Sequence, residues 1–173
     1  IYFLFMVYLI GYMGAGKTTI AKLLANELHL SYYDTDQEIE KKQKRSVSEI
    51  FKKDGELHFR MLETELLKNI SQKSIIACGG GLSIHNNNMG LINSKGISIY
   101  LKASNNCLFN RLKNERQTRP LIDNKTDEEL EYYIKNELQK RSPFYKLANH
   151  TILIDDKTTD EVLREINSLI STV

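Results

Sequence analysis

Nine consecutive residues carry the clearest chemistry in this chain of 173 residues. Residues 11–19 read Gly-Tyr-Met-Gly-Ala-Gly-Lys-Thr-Thr, which fits the phosphate-loop pattern G-x-x-x-x-G-K-[ST]. Glycines at Gly11, Gly14 and Gly16 allow a tight turn whose backbone N–H groups, Ala15 included, converge on one small concavity. Lys17 then reaches the β- and γ-phosphates of a nucleoside triphosphate, Thr18 offers a hydroxyl to Mg²⁺, and Thr19 continues into the helix. With Gly at about 7% of residues, chance supplies this pattern on the order of 1% of the time in such a chain. An incidental surface turn is therefore the weaker reading.

Further candidates lie downstream. Asp34 and Asp36 form Asp-x-Asp behind a second apolar segment, where phosphoryl transfer needs one carboxylate near the metal and one near the acceptor hydroxyl. The plainer alternative is that one of them only caps the next helix. Arg60 precedes Glu63 by three positions, which also suits a simple exposed ion pair. Gly79, Gly80 and Gly81 follow the segment Ser-Ile-Ile-Ala-Cys, so another group can approach the backbone there; a plain flexible turn is the alternative. Arg141 continues the apolar line Leu130, Ile134, Leu138 and calls for an anionic partner, either structural or on a ligand.

These residues need a scaffold that brings them together. Apolar segments at 3–10, 31–33, 73–78, 96–101 and 151–154 read as strands. Amphipathic stretches at 17–29, 36–44, 47–53, 56–71, 85–93, 104–113, 127–146 and 159–171 read as helices. Ile20, Leu23, Leu24 and Leu28 form the inward stripe of the first helix, and Phe59, Leu62, Leu66 and Ile70 that of the fourth. Ser46…Glu49, Thr126…Glu129 and Thr158…Glu161 are capping boxes. The alternation predicts an α/β fold, a parallel sheet with helices on both faces, as one domain over 1–173. Residues 113–125 break the pattern. They are polar, carry Pro120 and lie between two good helices, so they read as either a disordered connection or a functional lid, and in a kinase the lid has a mechanism, closing over a reacting phosphate.

Bulk properties exclude other classes. A net charge of +2 gives no nucleic-acid or membrane surface. The basic cluster at 41–45 ends a helix, where cations suit the macrodipole. Two cysteines, Cys78 and Cys107, stand without ligand spacing and read as reduced thiols in a cytoplasmic protein. The apolar segment 1–10 lacks a basic leader and a cleavage site, is too short to span a bilayer, and reads as a central strand. No long apolar stripe or heptad calls for an oligomer, so a monomer is expected.

Taken in order, the motifs resemble the shikimate kinase family within the nucleoside-monophosphate-kinase-like P-loop group. The matching residues are the loop at 11–19, Asp34-Thr-Asp36, Phe51…Asp54-Gly55-Glu56…Phe59-Arg60…Glu63, the triple glycine, Arg119-Pro120-Leu121 and Arg141-Ser-Pro-x-Tyr145. The resemblance implies a three-layer α/β/α fold with five parallel strands in the order 2-3-1-4-5, an acceptor-binding region at about 34–62 and a mobile lid at about 113–125. It implies ATP-dependent phosphorylation of the 3-hydroxyl of shikimate, with Mg²⁺, in aromatic amino-acid synthesis. Asp36 would be the base; Arg60 and Arg141 would clamp the substrate carboxylate; Gly79, Gly80 and Gly81 would line its hydroxyls, and Phe51 and Phe59 its apolar side. Asp34 and Thr18 would hold the metal shell, and Arg119 would offset charge on the moving phosphoryl group. The adenine-stacking cation is assigned to Arg111, with Lys113 and Arg116 as alternatives. Cys78 stands where the family often has Thr. A kinase for another small polyol acid such as gluconate, and a non-catalytic nucleotide-binding domain, are the remaining readings.

Overall fold

A computed structural model describes residues 6–71, 73–119 and 121–171. Residues 3–5 of the expected first strand, and Pro120 of the Arg-Pro-Leu motif, lie outside these. Thirteen elements of regular strand or α-helix carry the fold among the described residues. They are β1 (Met6–Ile10), α1 (Lys17–Leu28), β2 (Ser31–Asp34), α2 (Thr35–Gln43), α3 (Val47–Asp54), α4 (Glu56–Asn69), β3 (Ser74–Ala77), α5 (Asn88–Lys95), β4 (Gly96–Lys102), α6 (Asn105–Asn114), α7 (Asp127–Tyr145), β5 (His150–Leu153) and α8 (Thr159–Ser171).

All sheet pairings are parallel and run in the order β2-β3-β1-β4-β5, as the family resemblance implied. β1 is the middle strand. Its five residues are all buried, because helices cover both faces of the sheet and leave no solvated side to alternate towards. Val7 sits level with Ile75 on one neighbour and Ile97 on the other. The chain leaves β1 for strands on one side and later returns to the other, so a crevice opens beyond its carboxyl end.

Local chemistry sets the helix starts. Capping boxes close α3 at Ser46 and α7 at Thr126, and Thr158 with Glu161 exchanges the same bonds before α8. Asp34 caps α2 by accepting from the N–H groups of Asp36 and Gln37. Two readings shift. The helix expected at 85–93 begins at Asn88, because Asn86 and Asn87 hold left-handed φ angles of 51° and 54°. Asn88 is then buried, donating to the Leu82 carbonyl and accepting from Thr64, so the Asn run is a built junction. Leu23 leaves the inward stripe of α1 and is 43% exposed; Ala21 and Ala25 complete that face. Within 113–125 the chain makes a 3-10 turn over Arg116–Thr118, and Ile122 is buried.

Candidate active site

The crevice beyond β1 is a cleft of about 400 Å³. Its floor is the phosphate loop. Gly11, Gly14 and Gly16 have φ of 145°, 80° and 84°, and a Cβ on Gly11 would stand 2.7 Å from the Leu101 carbonyl oxygen. Only glycine meets both demands there. Gly16 offers α1 no side-chain cap, so the first-turn N–H groups face the cleft unsatisfied and suit an anion. Lys17 is buried and donates from Nζ to the carbonyls of Gly11 (2.8 Å) and Tyr12 (2.9 Å). Burial pushes its pKa down to about 8, and Asp36 opposes that shift most strongly.

Asp34 caps the next helix and also reaches the phosphate loop. Its Oδ1 caps α2, while its Oδ2 accepts the Thr18 hydroxyl at 2.8 Å. A hydroxyl and a carboxylate, both hard oxygen donors, suit Mg²⁺, which takes one or two protein ligands and fills its other positions with phosphate and water. Among the described residues no group of three or more His, Cys, Asp or Glu could hold a metal.

Of the three cations considered for the base, only Arg111 faces the loop. Its Nη1 donates to the Gly14 carbonyl at 3.2 Å. Lys113 lies over the Phe109 ring, and Arg116 is tied to the Lys125 carbonyl and Asp127. Arg119 lines the cleft and pairs with Glu115 through Nε at 3.0 Å and Nη2 at 2.5 Å.

Asp36, Gly79 and Gly80 line the other end, and each of the three glycines faces one side chain singled out in the sequence, although Phe51, Phe59, Arg60, Gly81 and Arg141 do not themselves line the cleft. A Cβ on Gly79 would lie 2.3 Å from Asp36 Oδ1, one on Gly81 would lie 2.6 Å from the Arg60 guanidinium, and one on Gly80 would lie 3.6 Å from Arg141. The triple glycine is thus a floor on which these groups rest, and not a plain flexible turn. Asp36 sits in the first turn of α2, with Oδ1 buried and without a hydrogen-bond partner among the described residues. Burial, then the nearby Asp34 charge, raises its pKa to about 6; Lys17 and Arg60 pull the other way.

The Arg60–Glu63 pair is buried, contrary to the exposed alternative. Nη1 of Arg60 meets Glu63 at 2.9 Å, and Glu63 is 1% exposed, its pKa pushed up to about 7 by burial. The guanidinium also lies 5.6 Å from the centroids of Phe51 and Phe59, whose rings are 4.8 Å apart. Arg141 pairs with Glu137 at 2.6 Å and stands over the Tyr12 ring, 5.4 Å from its centroid. The Tyr145 hydroxyl donates to the Gly80 carbonyl at 2.5 Å and ties α7 to the glycine floor. Cys78 is buried with its thiol pKa raised by desolvation, which makes it a packing residue.

Some lining residues escaped the sequence reading. Ile154 and Lys157, from the turn after β5, and Thr159 and Val162, from the start of α8, also line the cleft. Their position at a strand's carboxyl end was the available signal. Tyr12 occupies a variable position of the loop pattern, and nothing in that pattern marks it. Glu137 stands four residues before Arg141 on one helix face, a spacing that does predict their pairing.

Three comparisons place the chain as a whole among known proteins. Residues 13–171 match the family model described as shikimate kinase. A shikimate kinase from Azobacteroides pseudotrichonymphae is 42% identical over 163 residues, covering 92% of this chain and 96% of that protein. Solved structures of shikimate kinases from Bacteroides thetaiotaomicron and, in complex with shikimate, from Acinetobacter baumannii superpose with TM-scores of 0.91 and 0.87. The first is 33% identical and covers 96% of this chain and 98% of its own; the second is 32% identical and covers 98% and 94%. A family model matched over residues 13–171, and a relative of that name 42% identical across nearly the whole length, leave one assignment: this chain belongs to the shikimate kinase family.

Proposed function

We propose that this protein transfers the γ-phosphoryl group of ATP to the 3-hydroxyl of shikimate, giving shikimate 3-phosphate and ADP on the route to chorismate and the aromatic amino acids. The observation that carries the reading is Asp36: a buried carboxylate with a partnerless oxygen, between the cation of the phosphate loop and that of α4. The acceptor hydroxyl oxygen attacks the γ-phosphorus, the bond to the ADP oxygen breaks, and the hydroxyl proton passes to Asp36 Oδ1. A carboxylate with a pKa near 6 is ionised at neutral pH yet more basic than an exposed one, which suits that task.

The loop amides of Gly11 to Thr19 and the Lys17 ammonium hold the phosphates, and Arg111 lies against the base. Arg119 swings from Glu115 onto the transferring group as residues 113–125 close and exclude water. Arg60 and Arg141 hold the ring carboxylate from opposite sides, Gly79 to Gly81 meet the hydroxyls, and Phe51 and Phe59 meet the carbon face. Thr18 and Asp34 would hold Mg²⁺, which when bound supplies charge neutralisation between the β- and γ-oxygens. On this reading residues 1–173 act as one monomeric unit in the cytoplasm, with the acceptor region at about 34–62, and its partners are the two small substrates, with no nucleic acid and no membrane. No helix among the described residues is long and apolar enough to cross a bilayer.

A coupled ADP-release assay tests the reading. ADP should appear with Mg-ATP plus shikimate and not with Mg-ATP plus gluconate. Turnover of gluconate with shikimate ignored would reject it.

A further inference from the structure

Arg60, one of the two arginines assigned to the substrate carboxylate, already carries a carboxylate on the edge that a ligand would use. Its Nε and Nη2 both donate to Glu56 Oε1, at 3.2 and 2.8 Å, while Nη1 is taken by Glu63. Two parallel N–H donors are the fork that recognises a carboxylate. Glu56 fills that fork with one oxygen, as a planar acid of a ligand would with two. We infer that Glu56 is a resident stand-in for the substrate carboxylate, which must be displaced before Arg60 can take the ligand, and that Glu56 therefore weakens the apparent affinity for shikimate. The inference rests on the substrate assigned above.

The two carboxylates on Arg60 differ in what it costs to let go. Glu63 is 1% exposed, so releasing Arg60 would leave it buried and without its partner. Glu56 is 56% exposed and rehydrates where it stands. It is also the first residue of α4, whose N-cap, Gly55, supplies no side-chain bond to the free N–H groups. A carboxylate there stays favoured by the helix end after it leaves the guanidinium. His85 is the other neighbour of the same oxygen, at 3.8 Å. Burial and then Arg60 push its pKa down, so at neutral pH it adds no charge to hold Glu56 in place. Each of these contacts of Glu56 is thus one that an incoming acid can replace.

A role in merely orienting Arg60 predicts the opposite sign, so the sign decides. Glu56→Gln should bind shikimate about two- to fivefold tighter by calorimetric titration, the scale of a partly exposed ion pair. The KM for shikimate should fall by the same factor, with the KM for ATP unchanged. Asp54→Asn separates contact from field, since it removes a like charge two residues away that pairs with Arg45 and not with Arg60. It should leave shikimate affinity within experimental error of wild type. Unchanged or weaker binding by Glu56→Gln, or an equal gain in Asp54→Asn, overturns the displacement. Wild-type protein that takes up no shikimate overturns the substrate assignment as well, a result distinct from saturable wild-type binding with no gain in the variant.

Discussion

The two ends of the cleft are built on opposite principles. The nucleotide end is contiguous, residues 11–19, and works through backbone: three glycines in conformations closed to other residues, open N–H groups on α1, and one lysine parked on its own loop carbonyls. The acceptor end is assembled from α2, α4, the β3 turn and α7, and it works through side chains. There Arg60 and Arg141 are each paired with a carboxylate of their own helix. Backbone amides need no holding, because the turn fixes them. Guanidinium groups in a partly buried pocket need counter-charges while the pocket awaits a ligand. One end is therefore ready to bind as it stands, whereas the other must exchange partners.

Asp36 joins the two ends, and its replacement should have the largest effect. Asp36→Asn keeps the shape, removes the proton acceptor, and should lower kcat by at least ~10²-fold with both KM values little changed. Stopped-time assays at saturating substrates read this directly. Turnover near the wild-type rate would detach Asp36 from the chemistry and leave the acceptor end a binding surface only.

Arg141→Ala should come next, and it tests whether the halves are separable. The loss of charged hydrogen bonds to the ring acid is worth about 1.5–3 kcal/mol, so the KM for shikimate should rise roughly tenfold to a hundredfold. The KM for ATP should stay within about twofold, since uniform binding of one substrate is being removed. Arg141 is the cleaner choice of the two arginines. Arg60→Ala would also leave Glu63 buried beside nothing, a loss of about 3–5 kcal/mol in stability that would blur the kinetics. A matching rise in the KM for ATP would show that Arg141, through its stacking on Tyr12, holds the phosphate loop as well.

The same contrast explains what could be read from the sequence. The nucleotide end is written in consecutive letters whose types are dictated by φ angles and phosphate charge, and the alternating apolar runs gave the sheet. Gly79 to Gly81 could be seen as an approach site, but not that each faces a different group, because that depends on where α2, α4 and α7 arrive. The exposed reading of Arg60–Glu63 failed for a similar reason. Spacing fixes that two residues meet on a helix and says nothing of what later covers them. Tyr12 comes under Arg141, and the β5–α8 turn and the start of α8 come to the cleft, by tertiary packing alone. The start of α5 moved because two asparagines tolerate left-handed φ, an option that a hydrophobic-period count does not see.

The smallest expected effect is on stability, and it asks whether the acceptor end is under electrostatic strain in the absence of ligand. In the folded protein Asp36 has a pKa of about 6, against the 3.8 of an unburied Asp. Between those values the folded state binds more protons at this site than the unfolded state. The contribution of Asp36 to stability is therefore full below about pH 4 and is lost as pH rises through 6. Asp36→Asn has no such dependence. Thermal melts of both proteins between pH 4.5 and 7.5 should show the variant higher by a few degrees at the top of the range, with the gap closing towards acid. Glu63, raised to about 7 by burial and in part by the Asp36 charge, is relieved in the variant, so its share of the difference has the same sign. The wild-type kcat/KM should fall through the same window as Asp36 takes up its proton. A gap that stays constant with pH, or a wild type that melts higher at neutral pH, would mean that Lys17 and Arg60 outweigh burial and that Asp36 is a satisfied ion-pair member. The acceptor end would then be as settled without ligand as the phosphate loop, and the contrast between them would lie in geometry alone.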